Sequence, residues 1–582
     1  MFNRLRPLAP YLKRYWKSLA WGGLSTIFYN VLKVLLPLVI GHAIDDMHNG
    51  LTEAKVLHHA LRLIGLAVLS AIFLYLMRQI VIGVSRQIEF DLRNDLFSNL
   101  ERQSASFYHT HRTGDIMART TNDLNAVRQL LGPAIMYSAN TIVFTAAALP
   151  FMYRISPKLT FFAFVPLPLA SILVQYFGSR IHTRFERIQA MFSDISAKAQ
   201  ENFSGARLIR AFAQEDAEIA SFETANKEYI RRSLLLVRLM AMLWPTLEFV
   251  LGLSLMITLL VGGHEVVAHR ISVGEFTSFN VYMVQLTWPM IAVGWVVNLF
   301  QRGTASVARI DELLKQEPEI KDAEVTNFAA EEIAGAVSFR NLNFAYNAGT
   351  PVLTGINLEV PAGSSLAIVG PTGSGKSSLV SLIPRLHDAA PGTVLIDGKP
   401  IRDFRIEKLR RSIGFVPQET FLFSSTIREN IAFGVTKATE EEIEAAAVTA
   451  HIRTEILEFP KGFGTVVGER GVTLSGGQKQ RTAIARAVLR DPRILVLDDA
   501  LASVDTYTEE RILSGLRDVM KGRTTIFIAH RVSTARNADQ IAVLVEGRIA
   551  ELGTHDELLA RGGYYTSLYE KQQLEEELAV AT

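Results

Sequence analysis

Residues 366–383 read LAIVGPTGSGKSSLVSLI. An apolar run of strand length, Leu366-Ala367-Ile368-Val369, leads into Gly370-Pro371-Thr372-Gly373-Ser374-Gly375-Lys376-Ser377-Ser378, and an apolar helical pattern follows. Strand, glycine-rich turn and helix in this order make a cradle for phosphate. Gly370, Gly373 and Gly375 let the backbone wrap an anion with its N–H groups inward, at a helix start whose dipole favours negative charge. Lys376 is placed to reach the β and γ phosphates, and the Ser377 hydroxyl to ligate Mg²⁺.

Two further stretches belong with the cradle. ILVLDD (494–499) is a buried-strand pattern ending in two carboxylates. Asp498 suits a second Mg²⁺ ligand, and Asp499 a base that orients the attacking water. LSGGQKQR (474–481) opens a helix at Leu474-Ser475-Gly476-Gly477-Gln478, giving a second anion-binding helix start. One loop already saturates one side of a triphosphate, so a second phosphate face implies service to a nucleotide held by another domain. Apolar runs alternate with helical patterns from about 333 to 582, which predicts an α/β domain.

The chain around this domain is of a different kind. Its 582 residues exceed one compact unit. Lys and Arg number 60 against 58 Asp and Glu, so no global field draws it to nucleic acid. It has no cysteine, which excludes disulfides, thiolate metal sites and a cysteine nucleophile. Its mean hydropathy is +0.19 although 20% of residues are charged, so a very apolar part must adjoin an ordinary one. No charge occurs between Arg128 and Arg154, Lys158 and Arg180, or Glu275 and Arg302. Leu19–Ile44, Leu57–Val84 and Leu243–Gly263 are nearly as apolar. Each is long enough to cross a bilayer, and together they predict six membrane helices within residues 1–314. A polar, acidic stretch over 315–332 reads as the linker.

The basic N-terminal segment (Arg4, Arg6, Lys13, Arg14, Lys17) and the Arg-rich connections 86–128 and 180–238 place both termini and these connections in the cytoplasm. Charge alternates with apolar residues at helical spacing over 86–103 and 180–203, so helices two to five are expected to continue past the bilayer. Lys33 and Glu248 are ionisable groups inside apolar spans; each serves a substrate or a proton, or, for Glu248, sits at a span's cytoplasmic end. Phe279, Tyr282, Met283, Trp288 and Trp295 line a cavity within the membrane part or simply pack.

With LSGGQKQR following the phosphate loop, the chain resembles an ATP-binding cassette (ABC) exporter half-transporter over essentially its whole length. The resemblance implies an all-α six-helix transmembrane domain (1–314), a linker (315–332) and an α/β nucleotide-binding domain (333–582), with ATP and Mg²⁺ bound. It implies that Tyr346 stacks on adenine, that Gln418 contacts Mg²⁺ and the water, that His530 meets the γ-phosphate, and that Asp505 lies in the D-loop. TVVGERG (465–471) resembles the segment that meets the partner's cytoplasmic extensions. Residues 107–123 and 201–215 resemble the turns that couple the two domains. The implied partners are a second half-transporter, the lipid bilayer of a bacterial inner membrane and a hydrophobic or amphiphilic substrate.

One position departs from the family pattern, which has Asp-Glu where this chain has Asp498-Asp499. Asp is one methylene shorter, so its carboxylate stops roughly 1.5 Å short, and a misplacement of about 1 Å can cost around 100-fold in rate. The chain thereby resembles the slow-site subunit of heterodimeric bacterial multidrug exporters, MdlA-type half-transporters in particular. A homodimer with Asp499 as an adequate base, and a lipid flippase, are the alternatives.

Overall fold

The computed structural model describes residues 5–48, 50, 52–322, 332–346, 349–468, 471, 474–500 and 506–581. The chain divides into two compact units. The first comprises residues 1–101 and 112–316, the second 102–111 and 317–582.

Long helices build the first unit: α1 (Trp16–His48), α2 (Glu53–Glu101), α3 (Thr113–Ile155), α4 (Leu167–Ser204), α5 (Glu215–Val267) and α6 (Val273–Lys315). At 49 and 53 residues, α2 and α5 are roughly 75 Å long, well over twice a hydrocarbon core. The stretches 86–103 and 180–203 lie largely in α2 and α4. The most apolar window of α2 is only 6% buried within the chain. A helix that stays apolar while facing outward requires lipid around it.

Among the described helices five, α1, α2, α3, α5 and α6, are single rods apolar and long enough to span. The fourth expected span is instead divided between a short helix, Pro157–Phe164, and α4, with the break at Val165–Pro166. Pro166 and Pro168 each lack an N–H, so two bonds of a continuous helical ladder are missing there. α3 carries two π-helical turns, Arg119–Asp123 and Leu130–Ala134. The first turns Asp123 inward, where it accepts from Ser306 Oγ and Arg309 Nε of α6 at 2.8 Å each. Phe279 and Tyr282 are fully buried core residues, whereas Trp288 and Trp295 are at least half exposed. Glu248 is exposed.

The second unit is built on two sheets. Strands β1 (Val337–Phe344), β2 (Leu353–Val360), β4 (Val394–Ile396) and β5 (Lys399–Pro400) form an antiparallel sheet of order β2-β1-β4-β5. The larger sheet has order β10-β9-β3-β8-β7-β6, from β3 (Ser365–Val369), β6 (Ile413–Val416), β7 (Ile494–Leu497), β8 (Thr524–Ile528), β9 (Gln540–Val545) and β10 (Arg548–Gly553). All its pairings are parallel except β9–β10. Such strands must be apolar on both faces, and they are. Leu366, Ile368, Val496, Ile526 and Leu544 pack toward the small sheet, while Ala367, Val369, Leu497, Phe527 and Val543 face the helical side. Residues 102–111, which carry the short helix Ala105–Thr110, cluster with this unit; Ser106 Oγ donates to Glu319 there at 2.5 Å. The other expected coupling turn, the helix Ala206–Ala211, clusters with the helical unit instead.

Candidate functional site

In an open parallel sheet, ligands gather beyond the carboxyl ends of the strands. Here that edge carries the phosphate loop after β3, Asp498 and Asp499 after β7, His530 after β8 and Gln418 after β6. β8 lies between β3 and β7, so His530 emerges between the loop and the carboxylates. A cavity of ≈ 440 Å³ opens there, lined by Thr372, Gly373, Gly375, Lys376, Ser377, Ser378, Gln418, Asp499 and His530, with Val352 and Ile528 as apolar wall. The sequence motifs miss those last two, because an apolar residue in a bend or a strand carries no chemical mark.

At two glycines the loop also leaves no room for a Cβ. Gly370 has φ +148°, and a Cβ there would lie 2.0 Å from the Leu544 carbonyl oxygen of β9. Gly375 has φ +97°, and its Cβ would meet Leu353 at 2.8 Å. Lys376 Nζ folds back onto the Gly370 and Pro371 carbonyl oxygens at 2.9 and 2.8 Å, holding the loop closed on itself. Burial pushes this ammonium down, against the pull of Asp499 and Asp498. A polyanion would favour the charged ammonium and compete with the two carbonyls for it. Ser374 Oγ is buried without a hydrogen-bond partner, a free polar atom inside the cradle.

The carboxylates have distinct surroundings. Asp498 accepts from the Ser377 hydroxyl at 2.8 Å. Burial pushes its carboxyl up, the Ser377 bond pulls it back and the charge of Asp499 raises it further. Asp499 accepts from Gln418 Nε2 at 3.3 Å and stands 3.4 Å from His530 Nε2. Burial raises this carboxyl too, with His530 and Gln418 opposing. Two buried carboxylates beside a hydroxyl suit Mg²⁺, which takes hard oxygen donors. Ser377 and Asp498 would hold it, and it would neutralise charge on the phosphate oxygens. Asp499 also has left-handed backbone, φ +51°, a conformation that Asp tolerates better than most residues.

Tyr346 is 44% exposed and donates from its hydroxyl to Ser378 Oγ at 2.9 Å, which anchors it beside the loop. His387 packs edge-on against it, ring centroids 5.0 Å apart. No motif singles out His387, a contact that only the fold reveals.

The LSGGQ stretch is assembled but turned elsewhere. Ser475 caps the helix Gly476–Leu489 in a reciprocal box: its hydroxyl accepts from Gln478 N at 3.3 Å, and Gln478 Oε1 accepts from Ser475 N at 2.9 Å. Glu455 accepts from Gln478 Nε2 at 2.9 Å and pairs with Arg481 at 2.6 Å. Leu474 is buried, Ser475 and Gly476 are exposed, and Gly477 is half-buried. None of Leu474 to Gln478 lines the cavity around Lys376. Asp505 lies outside the described residues, as does part of 465–471.

The profile of the ABC transporter transmembrane region matches residues 19–290, and that of the ABC transporter domain matches 353–502. The chain is 37% identical to the probable multidrug resistance ABC transporter ATP-binding/permease protein YheI of Bacillus subtilis, over 99% of this chain and 98% of that one. It is 36% identical to the multidrug resistance-like ATP-binding protein MdlA of Escherichia coli, over 98% and 96%. A bacterial Atm1-family ABC exporter solved with ATP bound superposes with a TM-score of 0.77 at 30% identity, over 96% of this chain and 98% of that one. Matched from end to end in this way, the chain belongs to the ABC transporter family, as a half-transporter whose membrane-spanning helical unit is fused to an ATPase domain that binds ATP and couples its hydrolysis to transport.

Proposed function

We propose that this half-transporter exports hydrophobic or amphiphilic compounds across a bacterial inner membrane by alternating access, as the slow-site subunit of a heterodimer. Both termini and the connections 86–128 and 180–238 face the cytoplasm in this reading. Half-transporters of this kind act as dimers. ATP draws the two ATPase domains together, each phosphate loop closing against the opposite LSGGQ, and the long helices carry the closure to the membrane as rigid-body motion. Moving the population from mostly inward to mostly outward takes about 5.5 kcal/mol of differential ATP affinity.

The carrying observation is the combination at one nucleotide edge: Asp499 where the family has Glu, beside a LSGGQ helix start that is intact and exposed. The chain's own site is then slow, while it still completes a competent site on a partner. A dimer is further supported by the turn around Ala206–Ala211. It exposes Phe203 (82%), Leu208 (63%) and Phe212 (68%), a cluster of apolar side chains that a second subunit would cover. Copurification tests the reading. Full substrate-stimulated ATP turnover by this polypeptide alone overturns the heterodimer in favour of a homodimer; turnover that requires a second half-transporter supports it. A second reading, export of acidic amphiphiles or lipids, is favoured by Lys33 in the membrane unit.

A further inference from the structure

Lys33 sits deep in α1, eleven positions before the end of its apolar span at Ile44. That is roughly 16 Å from that face of the membrane, too far for a lysine side chain to reach the headgroups. No carboxylate pairs with it and no hydrogen bond is made by it among the described residues. Its ammonium lies 4.6 Å from the centroid of the Phe144 ring of α3, a fully buried side chain, and 6.0 Å from that of Tyr29. An aromatic face offsets only part of the cost of a cation in hydrocarbon.

The surroundings hold other unmet polar groups. Thr26, Asn30 and Lys33 share one face of α1. Asn30 is fully buried, and its Oδ1 has no partner. Asn140 precedes Phe144 by one turn of α3, and its buried Oδ1 is also unpartnered. On α6 the Tyr282 hydroxyl donates to the Val34 carbonyl at 2.6 Å; one turn later, the buried Oε1 of Gln285 has no partner. Pro37 lies within α1 here and has no N–H to give the Lys33 carbonyl. A backbone carbonyl deprived of its helical donor, beside unpaired polar groups at mid-membrane depth, marks a place where a polar ligand can be held.

Resting on the exporter reading above, we propose that Lys33, with Asn30, Asn140 and Gln285, forms a subsite for the acidic, phosphate-type head group of an amphiphile. Phosphate oxygens accept from the ammonium, and a phosphomonoester hydroxyl donates to an amide oxygen. Phe144 and its neighbours meet the start of the tail. The charge at Lys33 thereby selects acidic over cationic amphiphiles.

The test uses the full-length transporter, with its partner subunit where one copurifies, in nanodiscs of neutral lipid. ATP turnover is titrated with dodecyl phosphate, dodecyltrimethylammonium and inorganic phosphate, for wild type, Lys33→Gln and Lys33→Arg. The expected result is stimulation by dodecyl phosphate and none by inorganic phosphate. Lys33→Gln should raise the half-maximal dodecyl phosphate concentration about tenfold and leave any response to the cationic probe unchanged, and Lys33→Arg should restore it. An unchanged dodecyl phosphate response in Lys33→Gln, a parallel loss for both amphiphiles, or an equal response to inorganic phosphate overturns the subsite while the pump itself stands. A wild type whose turnover answers to no amphiphile overturns the exporter reading, and the subsite with it.

Discussion

Lengthening one side chain should switch on the chain's own ATP site. In Asp499→Glu the carboxylate advances by roughly 1.5 Å, and recovering a misplacement of about an ångström is worth around 100-fold, or about 2.7 kcal/mol at 1.36 kcal/mol per decade. The partners are already present, since Gln418 Nε2 at 3.3 Å and His530 Nε2 at 3.4 Å stand ready to orient a longer acid. Against this, the backbone at 499 is left-handed, φ +51°, where Glu loses the local tolerance of Asp and costs about 1 kcal/mol of stability. Gain therefore exceeds cost, and a rise of one to two orders of magnitude is expected. Single-turnover ATP cleavage in a Ser475→Asn background reads this site alone, because the LSGGQ of this chain serves the other nucleotide. Unchanged or slower cleavage in Asp499→Glu would show that carboxylate reach does not limit this site.

Gly370→Ala should weaken ATP binding at least tenfold by titration calorimetry, because the new Cβ meets the Leu544 carbonyl at 2.0 Å and the loop must shift. Asp498 and Asp499 hold protons more tightly folded than unfolded, so the nucleotide-free domain should gain stability as pH falls through their raised values and lose it as pH rises. Mg²⁺–ATP needs Asp498 ionised, so its affinity should fall over the same window; melting curves at several pH values, with the double variant Asp498→Asn/Asp499→Asn as the flat control, check both signs. Ser475→Asn keeps a good helix cap and should leave melting within about 0.5 kcal/mol while turnover collapses.

Much of the ATPase domain is legible in the sequence because its chemistry is local. Gly370 to Ser378, Asp498 and His530 each follow a short apolar strand, and a parallel sheet collects strand ends at one edge. What stays hidden depends on backbone detail or on contacts distant in sequence. The left-handed turn at Asp499, the return of Lys376 onto Gly370 and Pro371, and the packing of His387 on Tyr346 leave no periodic trace. In the membrane unit, hydropathy alone joins 158–180 into one span. Pro166 and Pro168 carry the signal for its division, but unbroken apolarity masks it. The inward turn of Asp123 is hidden for a related reason: a π turn shifts helical phase by one residue, and only Ser306 and Arg309 on α6 reveal why.

Steady-state ATP turnover of the intact transporter, compared between Asp499→Asn and Ser475→Asn in this chain, decides whether each nucleotide is shared between two polypeptides. For an asymmetric pair, loss of the carboxylate changes turnover less than twofold, because the productive site uses the partner's acid. Loss of the LSGGQ hydroxyl abolishes turnover, because that same site borrows it. The opposite order, with Asp499→Asn inactive and Ser475→Asn near wild type, contradicts both the shared site and its asymmetry.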